Sequence, residues 1–200
     1  MTPEQRSKEK AEALAGFDRS LRAILLFGDT HGSAESYAAV WDYLTKRPSP
    51  PGFDWIGLEM VTRDQKSILD DFIKGAEGSP QYKAAETKLL EYFRSGWDKR
   101  FADPKAPKEG HYFRILRWSR QHKIRVNALD SVSEYTLYRY GEFPLGATTR
   151  NIIWAEAIPL EGKGIVYGGS GHFVPLPATP FTFQDYVKRR DPRIEFFLVR

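Results

Sequence analysis

Four short runs rich in apolar residues, each closing at or beside a glycine or an acidic residue, constrain what this chain can fold into more than any other feature. They occupy residues 22–27, 55–60, 124–130 and 164–169, and a fifth run follows at 194–199. Apolar runs of this length, as at 22–27 and 164–169, are the pattern of strands covered on both faces. Helical patterns separate them, so each strand feeds a crossover to a parallel neighbour, and such crossovers are right-handed. The expectation is one α/β domain over residues 1–200, with a mostly parallel central sheet of four to five strands flanked by helices. Residues 1–20 form an N-terminal helix, 21–175 the core, and 176–200 an edge element.

The intervening segments support this. Residues 3–21 are rich in Ala, Glu, Lys and Arg, all good helix formers. Ala38, Val40, Trp41 and Leu44 supply the apolar positions of a helix that the Pro-rich stretch 48–52 ends. Further helices are expected at 63–74, 81–97 and 112–122, with a helical or irregular region reaching Ile158. Residues 102–110 read as a surface excursion within the one domain.

Composition excludes several classes. With 41% hydrophobic and 14% aromatic residues the chain is not disordered. It has no cysteine, which removes disulfides, thiolate metal sites and a cysteine nucleophile together. A net charge of +4 is spread along the chain. Its one basic cluster, Lys188, Arg189 and Arg190, reads as a solvated helix end, so nucleic acid is not an expected partner. No run reaches the ~20 apolar residues of a membrane span. The first twenty residues lack the apolar centre of a signal peptide, so the chain as written reads as cytoplasmic, with leaderless secretion or a removed leader as the alternatives.

Ligands of open parallel sheets bind at the carboxyl ends of the strands. This chain puts Gly28-Asp29-Thr30-His31-Gly32 at the first, Glu59 at the second, Asp130 at the third and Gly168-Gly169-Ser170-Gly171-His172 at the fourth. Two of its four histidines are therefore expected at one rim with acidic partners. The glycines would permit close backbone approach or leave N–H groups to cradle an anion.

Two Gly-x-x-His motifs, Gly28 to His31 and Gly169 to His172, bracket Leu58-Glu59-Met60 and Arg150-Asn151. In order and spacing these resemble the Tiki/ChaN/erythromycin-esterase superfamily, and most of all its ChaN-like haem-uptake branch, from about Leu25 to Val174. Asp29 stands where that family usually carries Glu. The resemblance implies a scaffold used by metal-dependent proteases, by erythromycin-esterase-like hydrolases, by haem-iron binders and by some secreted effectors or toxins.

The resulting expectation is a hydrolase, metal-dependent or metal-free, with His31 as general base, Glu59 orienting it, His172 as second acid/base and Arg150 holding a carboxylate or oxyanion. Asp29, Glu35, Asp130 and Asn151 support them. On a metal reading His31, Glu59 and His172 are the ligands, suiting Zn, Mn or Fe. The alternatives are a haem- or iron-binding protein and an effector domain. The partner is a small-molecule or peptide substrate, or haem, and a homodimer is an allowed assembly. His111 and His122 read as surface residues beside Arg114, Arg117 and Arg120. Ser170 lacks the Gly-x-Ser-x-Gly spacing of a nucleophile. Tyr37, Trp41, Trp154, Tyr167 and Phe173 read as core or pocket wall.

Overall fold

The structure, a computed structural model, describes residues 2–30, 33–98, 109–130, 143–177 and 179–199. Five strands form one sheet: β1 (Ala23–Asp29), β2 (Trp55–Thr62), β3 (Arg125–Asp130), β4 (Gly164–Gly169) and β5 (Glu195–Val199). All pairs are parallel, in the order β3-β2-β4-β1-β5. The expected sheet is present, with the last run at its edge beside β1.

Among the described residues seven helices surround it: α1 (Pro3–Arg19), α2 (Ala34–Thr45), α3 (Lys66–Lys74), α4 (Pro80–Ser95), α5 (His111–Gln121), α6 (Phe143–Ala157) and α7 (Phe183–Arg190). Their starts are written locally. Thr2 and Gln5 cap α1 reciprocally, Thr182 and Asp185 do the same for α7, and the hydroxyls of Ser33 and Ser79 accept backbone N–H groups of α2 and α4.

Strand order decides which helix covers which face. From β1 through β2 to β3 the chain moves one way across the sheet; from β3 through β4 to β5 it moves back. Right-handed crossovers therefore send α2 to α5 to one face and α6 and α7 to the other. The core divides accordingly. Leu25, Phe27, Ile56, Leu58, Ile165 and Tyr167 pack with the first group. Ile24, Leu26, Trp55, Val166 and Leu129 pack with the second, around Trp154, Phe173 and Phe183. Helix α1 joins the first face, with Phe17 in that core and Gly16 against the Phe197 ring of β5.

Two expectations need correction. Strand β2 does not stop at Met60: the β-branched Val61 and Thr62 carry it on, past a register shift against β3. Glu59 thus lies within the strand. His111 is not a surface residue. It is 3% exposed, because Tyr37 and Trp41 of α2 cover the row that carries it, with ring centroids 4.3 Å apart for Tyr37–His111 and the Arg114 guanidinium 4.2 Å from the Trp41 ring. His122 is half-buried and stacks on Trp118. Of the expected surface excursion, residues 102–108 lie outside the described residues.

Candidate functional site

Alternation along β2 puts Glu59 in the row of Trp55, facing α6. There it is fully buried against Arg150, whose guanidinium binds Asp130 through two N–H···O contacts of 2.8 Å and also donates to Glu59 Oε1. Glu59 Oε2 accepts the backbone N–H of Gly169. The Trp154 indole N–H reaches Asp130 at 3.4 Å. One buried cation is thereby shared between two buried carboxylates, each with further donors, which is what makes buried charge tolerable. Burial pushes the Asp130 carboxyl above its usual range, and the Arg150 charge opposes that only in part. For Arg150 burial acts downwards, but Glu59 and Asp130 outweigh it and hold the guanidinium more firmly charged.

His172 completes this cluster from the turn after β4. Its ring lies 4.0 Å from the Trp154 ring, centroid to centroid, and its Nε2 is 3.9 Å from Glu59 Oε1. The Asn151 amide donates to the Phe181 carbonyl at 3.1 Å, which turns its oxygen to His172 Nδ1 at 2.6 Å. Nδ1 therefore donates to that oxygen, and Nε2 faces the carboxylate.

The glycines have a different use from the one expected. The anion held by the Gly169 N–H is the protein's own Glu59. A Cβ on Gly168 would come within 2.8 Å of Trp154 and 3.1 Å of Glu59 Oε2, so glycine makes room for both.

Asp29 faces the other side of the sheet. It continues the row of Leu25 and Phe27, is 2% exposed, and accepts from the Tyr112 hydroxyl at 3.4 Å. Tyr167 lies beside Tyr112 with ring centroids 6.0 Å apart, and burial pushes both phenols well above their ordinary range.

The sequence-predicted residues thus divide. Glu59, Asp130, Arg150, Asn151 and His172 are together on one face; Asp29 is on the other; Glu35 is exposed on α2; His31 and Gly32 lie outside the described residues. No group of three or more His, Asp or Glu among the described residues is disposed to hold a metal ion.

Open space lies elsewhere. A cavity of about 830 Å3 sits over the carboxyl ends of β1 and β5, between α1 and α2. Phe27, Gly28, Leu198 and Val199 form its floor, and Ser170 and Val174 close one side. Arg6 and Lys10 stand on the α1 wall; Glu35 and Asp42 stand on the α2 wall with Ala38 and Ala39. The volume is that of a cofactor-sized site. The sequence reading missed this wall, although the signal was there: Arg6 and Lys10 continue, at helical spacing, the stripe of Ala13, Leu14 and Phe17.

The profile of the family described as haem-binding uptake, Tiki superfamily, ChaN matches residues 20–138. That stretch holds Asp29, His31, Glu59 and Asp130, and ends before Arg150 and His172, where the resemblance was expected to continue. No curated protein and no solved structure matches the chain. Among the described residues no helix is long and apolar enough to cross a membrane.

Proposed function

This chain belongs to the haem-binding uptake (ChaN) family of the Tiki superfamily, and we propose that it binds haem in the cavity between α1 and α2. The observation that carries this is the character of that space: about 830 Å3, an apolar floor built by Phe27, Leu198 and Val199, and cations on one wall. Haem is a flat apolar body with two carboxylates on one edge, so it asks for this division of apolar and basic lining. When bound, it supplies an iron that takes axial ligands and an intense Soret absorption. His31, which directly follows Thr30 of the cavity wall in the sequence, would be the residue to hold the iron.

Hydrolysis at Glu59 and His172 is the less supported reading. Glu59 is 0% exposed with both oxygens engaged, so a water nucleophile there requires the ion cluster to open.

Titration of the full chain with hemin tests the proposal. A saturable Soret band at one haem per chain is expected, with a shifted maximum in His31→Ala and loss of binding in Ala39→Trp, which fills the cavity from its α2 wall. No saturable band overturns haem binding. Undiminished binding in Ala39→Trp overturns the assignment to this cavity.

A further inference from the structure

Helix α1 runs into β1 through a short turn, so it lies antiparallel to the strands and its first half stands beside their carboxyl ends. Its sheet-facing stripe is apolar where it covers the sheet, at Ala13, Leu14 and Phe17, and becomes cationic at Lys10 and Arg6 where the sheet stops and the cavity begins. Residues four apart on a helix are neighbours, with Cβ atoms roughly 5–6 Å apart. The opposite wall has the reverse sign, with Glu35 and Asp42 of α2, the latter paired to Lys46 at 2.9 Å. Arg6 and Lys10 therefore put positive charge on the α1 wall, while on the α2 wall Asp42 is held by Lys46 and also feels Lys10, and Glu35 is the remaining acid. The family match begins at residue 20, so this wall is built by a segment that precedes the matched region.

We propose that Arg6 and Lys10 are the specificity-determining pair of the cavity, selecting a ligand with two carboxylates on one edge and fixing its orientation, acid edge to α1. This rests on the haem reading above and adds which edge of the haem is read, and by what. Two cations one turn apart match two propionates as separate charge-assisted contacts, whereas Glu35 on α2 disfavours the reversed pose.

The test compares hemin with hemin dimethyl ester, which keeps the ring and iron but has no carboxylate charge, on the full chain and on the Arg6→Ala/Lys10→Ala double variant. Wild type is expected to bind hemin at least about tenfold more tightly than the ester, the size expected of two partly exposed charged contacts. In the double variant the hemin dissociation constant should rise to that of the ester while the ester's stays unchanged, and Arg6→Lys should keep most of the preference. Equal affinities in wild type, or a preference that survives in the double variant, overturn the pair's role and leave haem binding standing. Failure of both compounds to bind overturns the haem reading and this one with it.

Discussion

Two regions at the same end of the sheet differ in almost every respect. The cluster around Arg150 is full: its charged groups are buried, mutually paired and covered by Trp154. The cavity beneath α1 and α2 is open, and Arg6, Glu35 and Asp42 on its walls are exposed. Chemically conspicuous residues fill the first region, whereas the helical walls of the second are ordinary residues, joined by Gly28, Thr30 and Ser170 of the glycine motifs. The contrast teaches that a cluster rich in acids and a histidine can serve to lock strand ends together, by joining α6 to β2, β3 and β4, while binding space opens where the fold leaves it. At β1 and β5 a gap is left between α1 and α2.

The largest expected effect breaks the full region. Arg150→Met leaves Glu59 and Asp130 buried without their cation and should cost about 3–5 kcal/mol of stability in urea unfolding. A loss below about 1 kcal/mol would mean that the cluster does not hold the strand ends. Next in size is Gly168→Ala, whose methyl group meets the Trp154 ring and the Glu59 carboxylate. Overpacking of this kind costs roughly 1–3 kcal/mol. A lowered unfolding midpoint with unchanged hemin affinity is expected; coupled losses would show that the two regions are not independent.

How much of this could be read beforehand follows from the same contrast. Strands β1 and β4 were readable because burial on both faces demands unbroken apolar runs, and the loss of those runs marks their ends. The members of the ion cluster were recognisable as a set, since Glu59, Arg150 and His172 each stand in a distinctive motif. Their pairing was not, because it depends on which face each strand row presents. That in turn depends on a strand order in which β4 inserts between β1 and β2. Asp29 and Glu59 both follow apolar runs yet face opposite sides. The burial of His111 escapes the sequence pattern for a related reason. The arginine row of α5 looks solvent-facing within its own helix, and only the neighbouring Tyr37 and Trp41 bury it. The cavity was least readable, since it combines α1 and α2 with β5, which lies far along the chain from both.

A smaller effect sharpens the electrostatics of the full region. The Asp130 carboxyl titrates higher in the folded chain than in the unfolded one, chiefly because it is buried. The folded state therefore holds this proton over a window that opens near the unfolded value of about 3.9 and closes at the raised folded value. Through that window stability falls as pH rises. Asp130→Asn removes the titration, so its stability relative to wild type should climb with pH across the window and then level off in urea midpoints taken from pH 4 to 7. A parallel pair of curves would mean that Asp130 is ionised in the fold as readily as in the unfolded chain.

The smallest effect on stability is expected where the effect on binding is greatest. Arg6 is exposed and Lys10 half-buried on one helix, and neither lies in the apolar core. Replacing both by Ala keeps good helix formers in α1 and should change stability by no more than about 0.5 kcal/mol. In the full region, substitution should be felt as folding energy; in the open one, as ligand affinity. A double variant that unfolds markedly earlier in urea would erase this distinction, because α1 would then be holding β5 through its charges as well as through Gly16 and Phe17.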